Sequence, residues 1–245
     1  MRISSYFYTC PFLNHSYYTP YYLSMRSLPQ NNPISVTTKR IAYQTPALIT
    51  DLRIPILQGI KNISVQNAIN NSVNEDASEF KREMETAAQD YADKARQEGK
   101  PIKPYVISSI YEVPYNRNNI ISIAMVYHEN IGGNNSYIKV PYNFNLITGK
   151  ALALEDIFQP GINYKALIDR EIRKQISAHR ESYAPGTLER FKGVAADQPF
   201  YLENGNLVVF FGFNEIAPTE PQIPVFKIPL SSFGNAVKPT VLRSI

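Results

Sequence analysis

The sequence predicts an α+β fold: antiparallel sheets covered by two long amphipathic helices and divided between two lobes. Apolar residues recur every three or four positions across residues 63–98 and again from Tyr164 to Ile176, the period of a helix with one buried face. Elsewhere, runs rich in Val, Ile, Tyr and Phe read as strands. Clusters of Asn, Gly and Pro separate those runs at the spacing of turns.

Residues 1–33 stand apart. Tyr6, Tyr8, Tyr17, Tyr18, Tyr21 and Tyr22 are interleaved with Pro11, Pro20, Pro29 and Pro33, a spacing that opposes a helix and favours an extended or irregular path. The first lobe, residues 34–131, opens with a strand at Ile34–Tyr43 and a shorter one over 48–57, bent at Pro55. Gly59 and Asn62 then introduce the longer helix, with Ile69, Val73, Ala77, Phe80, Met84, Ala88, Tyr91 and Ala95 as its buried stripe. Gly99 and Pro101 stop it, by a left-handed cap and a missing donor. Three strands follow at Tyr105–Val113, Asn119–Glu129 and Ser136–Leu146, in an antiparallel meander with "PYNRN" and "NIGGNN" as linkers. The second lobe, residues 132–245, turns at Thr148-Gly149 and starts its helix near Asn163, which caps a stripe of Tyr164, Leu167, Ile168, Ile172 and Ile176. The segments "PFYLE", "NLVVFFGF" and "VFKIPL" are the last strands, with Asn204-Gly205 as a hairpin turn and a Pro-rich loop before the third.

With 44% apolar and 19% charged residues, 245 residues can bury a proper core, and the composition excludes wholesale disorder. The net charge of +4 is small and dispersed, which excludes a nucleic-acid footprint. Lys165, Arg170, Arg173, Lys174 and Arg180 alternate with Asp169, Glu171 and Glu181, the pattern of a solvated helix face. Cys10 is the only cysteine, so no disulfide closes within the chain. No apolar run approaches the ~20 residues of a membrane helix, and Pro11, Asn14 and His15 interrupt any signal-peptide core. Localisation is left open between a bacterial envelope and a spore layer.

The order of several segments carries a resemblance. "IPILQGIKN", "INNSVNEDASEFKREME" and "YEVPYNRNNIISIAMVYHENIGG" are followed by "PYNFNLITGKALALEDIF", "DREIRKQI" and "FYLENGNLVVFFGFNEIAPTEPQIP". Together, from about Ile34 to Phe233, they resemble the lysozyme-sensing extracellular domain of RsiV-type anti-sigma factors, a domain also found before the catalytic domain of PdaC-type peptidoglycan deacetylases. The resemblance implies a binding module. It departs from the family pattern at two places. The family's Gly-Gly-Ala-His-Gly is here Gly132-Gly133-Asn134-Asn135-Ser136, and its Glu-Ile-Ala-Pro-Tyr is Glu215-Ile216-Ala217-Pro218-Thr219, without the aromatic.

Catalytic motifs do not emerge. His15, His128 and His179 lack ligand spacing, so no metal site and no cofactor is expected. His179 continues the second helical stripe and reads as a packed histidine, and His128 as a turn-side hydrogen-bonding group. No serine sits in a nucleophile elbow, and Glu215 and Glu220 lie in a loop without the aromatic platform of a glycosidase. One charge pattern does stand out. From Gly193 to Phe226 the ionic residues are Asp197, Glu203, Glu215 and Glu220, with no Lys or Arg. An acidic edge on a loop stiffened by Pro218, Pro221 and Pro224 would steer a cationic partner. The expected contact residues are therefore Glu215, Pro218, Thr219, Glu220 and Ile223. The leading reading is a non-enzymatic, lysozyme-binding type of envelope module. Its rivals are a structural or assembly protein using the tyrosine-rich segment and a peptidoglycan or carbohydrate binder.

Overall fold

The computed structural model describes residues 9–10, 34–212, 215–219 and 223–242. The expectations for residues 1–33, Thr9–Cys10 apart, and for Glu220 lie outside them. The chain forms two compact units, one of residues 1–112 and 125–140, the other of 113–124 and 141–245. They do not meet at a single cut near Gly132, because the chain passes between them three times.

The larger sheet has the order β1-β6-β5-β4-β3-β2, with β1 (Thr9–Cys10) a two-residue edge paired to β6 (Asn134–Asn145). β2 (Ser35–Gln44) and β3 (Leu48–Gln58) form an antiparallel hairpin. The eleven-residue β3 is not the shorter of the two, and its ladder to β4 (Tyr105–Arg117) stops at Leu52, before Pro55 needs an N–H it lacks. That ladder is parallel, which corrects the all-antiparallel expectation. The physical reason is α1 (Ile63–Gln97), a crossover of the kind parallel neighbours require. The linker "PYNRN" is also corrected. Pro114 to Arg117 continue β4 beyond the end of its pairing with β3. The turn into β5 (Ile120–Ile131) is Asn118-Asn119, with φ of 54° and 58°, the left-handed pair of a tight hairpin.

α1 is 35 residues, about 50 Å, and begins where Asn62 Oδ1 accepts from the N–H groups of Ser64 and Val65. Val65, Ile69, Val73, Ala77, Phe80, Ala88, Ala92 and Ala95 are buried, and the helix packs on β3. The phase is as expected, except that Met84 and Tyr91 are half-buried and Ala92 takes a core position. Within the same unit, Phe80 meets the Tyr127 ring at 4.9 Å.

In the second unit, β7 (Phe200–Glu203), β8 (Asn206–Phe210) and β9 (Val225–Pro229) form a three-stranded antiparallel sheet. α2 (Tyr164–Ala178) buries Ile168, Ile172 and Ile176 in a core with Leu202, Leu207, Val209, Phe226 and Ile228. At fifteen residues α2 is of ordinary length, so the described residues contain one long helix rather than two. α2 ends before His179, whose side chain is 67% exposed instead of packed. A buried polar knot ties this unit together. Ser122 Oγ donates to Asn143 Oδ1 (2.6 Å), Asn143 Nδ2 donates to the Phe200 carbonyl, and Leu202 N–H donates to Ser122 Oγ.

Candidate partner-binding loop

The loop singled out by sequence joins β8 to β9. Its stem continues the ladder, since Phe211 N–H donates to the Pro224 carbonyl at 3.0 Å. Gly212 and Glu215 close a tight turn on each other. The Glu215 carboxylate accepts from Gly212 N–H at 2.6 Å, and Glu215 N–H donates to the Gly212 carbonyl at 3.0 Å. Ile216 then drops into the core at 7% exposure, so the next residues cannot lift away.

A second set of bonds fastens the loop to the segment following α2. Ala184 N–H donates to the Ala217 carbonyl, and Thr219 N–H to that of Ser182, both at 2.9 Å. Tyr183 and Pro218 form an antiparallel bridge between these bonds, and Thr219 Oγ1 donates to the Glu181 carbonyl at 3.3 Å. Ala217 accepts a φ of 43°, a conformation L-residues disfavour, which this bracketing holds in place. Beneath lies Tyr183, stacked with Phe226 at 6.3 Å, its phenol pushed above the ordinary range by burial.

Of the expected contact residues, Glu215 and Thr219 are exposed and Pro218 and Ile223 half-buried. The electrostatic expectation needs revision. Glu203 is paired with Lys227 of β9 at 2.7 Å, so its charge is offset at close range. Beside the loop is a pocket of about 230 Å³ whose lining places Arg190 and Lys192 together with Glu215, around Phe191, Phe211 and Ile216. These two cations precede the acid-only stretch, and the fold brings them back to it. Sequence reading missed them, because nothing local connects residues 190–192 to a loop on another strand.

The other candidate groups have local duties. In the first unit, His128 Nε2 donates to Asn135 Oδ1 at 2.9 Å, with Asn130 Nδ2 donating to the same oxygen at 2.8 Å. Asn135, standing where the family pattern has histidine, is thus the acceptor of a β5–β6 hairpin cluster. Among the described residues, no group of three or more His, Cys, Asp or Glu is placed to hold a metal, and no helix is long and apolar enough to cross a membrane.

Comparison with known families follows the two halves of the chain. Residues 41–137 match the family described as deacetylase PdaC. Residues 155–231 match the DUF3298 family, of unknown function. A DUF3298 family protein from Bacteroides fragilis is similar in fold, with a TM-score of 0.63 at 16% identity, over 85% of this chain and 95% of its own. One from Pseudomonas aeruginosa has a TM-score of 0.54 at 17% identity, over 87% of this chain and 96% of its own. No curated protein matches. The paired PdaC and DUF3298 regions are thus common ground with the resemblance read from sequence, which had named the RsiV-type branch in particular.

Proposed function

We propose that this chain is a non-catalytic binding module of the bacterial cell envelope, with the β8–β9 loop as its contact edge and a lysozyme-like cationic protein as partner. The supporting observation is the loop's bracing. Four backbone hydrogen bonds, two across its stem turn and two to residues 182–184, hold Glu215 and Thr219 at the surface. A braced loop has little conformational entropy left to lose on docking. The PdaC match over residues 41–137 supports a wall-facing setting, without extending that family's enzymatic name to this chain.

The offsetting of Glu203 and the cations at the pocket leave Glu215, and with it the acidic Glu220 of the same loop sequence, to supply any steering. Rim charges act mainly on association rate, so Glu220→Lys should slow lysozyme binding, and less so at high salt. Thr219→Tyr restores the aromatic of the family pattern at an exposed position and should tighten binding about tenfold. Calorimetric titration of lysozyme against wild type and both variants, at two salt concentrations, decides. No binding by any of the three sinks the reading and leaves an assembly protein in front.

A further inference from the structure

The larger sheet carries α1 on one face only. Lys39 and Tyr43 of β2 bond Asn74 and Glu85 of α1, and Tyr127 of β5 meets Phe80, which fixes the helix side of each strand. Alternate positions point the other way: Ile49 on β3, Val106 and Ile110 on β4, Val126 on β5 and Tyr137 on β6. Contacts across that side agree, since His128 Nδ1 lies 3.4 Å from Ser108 Oγ and the His128 ring 4.9 Å from that of Tyr137. An open sheet face ordinarily presents polar side chains at such positions. Here Ile110 is 50% exposed, and Ile49, Val106 and Val126 are half-buried. α1 is the one helix among the described residues of this unit, so no helix of those residues covers the second face.

Connectivity points to the occupant. β1 and β2 follow one another in sequence, yet they lie at opposite edges of the sheet. β1 runs from Ser136 toward Asn135, so the chain leaves it at the end of the sheet where Asn135 bonds His128. It enters β2 at Ser35, opposite Gln58, at the other end. Residues 11–34 therefore join diagonal corners. Five strand spacings across and several residues along put those corners roughly 35 Å apart, and residues 11–34 reach about 80 Å when extended. On the helix side, the path is lengthened by the bulk of α1. The segment is also suited to burial, with Phe12, Leu13, Leu23 and Leu28 among its tyrosines and Arg26 as its one charged residue. We propose that residues 11–33 cross the second face and that Tyr17, Tyr18, Tyr21 and Tyr22 cover Val106, Ile110 and Val126. Tyrosine suits this position, because its ring packs on apolar side chains while its hydroxyl stays wet. The prolines hold the crossing extended. The inference does not rest on the β8–β9 loop and survives its failure.

The test uses the full chain with labelled Ile and Val methyls. Nuclear Overhauser contacts are expected from the Ile110 and Val126 methyls to tyrosine rings. They should vanish when Tyr17, Tyr18, Tyr21 and Tyr22 are replaced by Ser, which separates them from any contact to Tyr137. Arg26 gives a second readout, because it is the one trypsin site in residues 11–33. Cleavage after Arg26 should be at least about tenfold slower in the folded chain than in a peptide of residues 11–33, since a covered segment is cut only while open. Ile110→Glu, at a position exposed enough to spare the fold, sets a charge beneath the segment and should speed that cleavage about tenfold. A mixture of labelled and unlabelled chains shows whether the contacts are within one molecule, and intermolecular contacts would assign the face to a second copy. That result, absent contacts, peptide-like cleavage of the wild type, or a rate unmoved by Ile110→Glu would each overturn the proposal.

Discussion

Phe80→Ala tests whether α1 is held by the stripe described for it. Phe80 is fully buried, in the helix that packs on β3, with its ring 4.9 Å from that of Tyr127. Truncation removes the transfer free energy of the ring and leaves a cavity that the flanking Val73, Ala77 and Ala88 are too small to fill. Such a change costs about 3–5 kcal/mol. Losing the tilted ring pair places it toward the upper part of that range. One position earlier, Glu79 stands 35% exposed, 3.9 Å from an Arg82 that is 72% exposed. Its replacement by Ala should cost under about 0.5 kcal/mol. Urea unfolding followed by circular dichroism at a shared slope should move the Phe80→Ala midpoint down by about 1–2 M and leave the Glu79→Ala midpoint in place. Equal shifts, or a loss below about 1.5 kcal/mol at Phe80, would refute the packing argument.

Glu129, 7% exposed on β5, has its carboxyl raised above the usual range by burial, which outweighs a lowering influence of the nearby Ser136 hydroxyl. The stability it contributes is therefore full below the ordinary carboxylate pKa and is lost as pH rises through the raised value, so Glu129→Gln should raise Tm at neutral pH and do nothing at pH 3. Asn143→Leu orphans the Ser122 hydroxyl and the Phe200 carbonyl and should cost about 2–4 kcal/mol by chemical denaturation; a neutral outcome would mean that the knot is dispensable. Asn163→Ala removes the cap on Ala166 N–H and should cost about 1 kcal/mol, largely recovered by Asn163→Ser.

What sequence made legible was whatever local chemistry decides. Asn62 and Asn163 start helices because their side chains accept from orphan N–H groups, and the stripe behind each cap fixes its buried face. Asn204-Gly205 closes a two-residue hairpin because Gly205 takes a φ of 74°. The parallel β3–β4 pairing was not legible, since strand sequences do not announce their neighbours, and α1 alone gave a hint of it. Pro114 looked like a breaker, and it is tolerated in β4 because its ladder to β3 has already ended. At the loop, the family motif and its acidic residues are plain in the sequence, and Glu215 is exposed. The loop's fastening to Ser182 and Ala184 is not legible there, because backbone hydrogen bonds leave no side-chain signature. The histidine at 179 misled because the apolar period ran one residue past the point where α2 stops.

The interleaving of the two units has a consequence for how the protein can be made and cut. The first unit needs residues 125–140 to be complete, yet the second already claims 113–124. During synthesis, then, the β4–β5 turn emerges while neither unit has all its chain, and the first unit cannot be complete until residue 140 has emerged. The same arithmetic forbids dissection. A fragment ending at residue 131 lacks the β6 portion of its own sheet, and its counterpart starting at 132 lacks Tyr115 and Ile120 from its core. A boundary that looks natural on paper would yield two incomplete molecules, each exposing strand edges and apolar surface to aggregation.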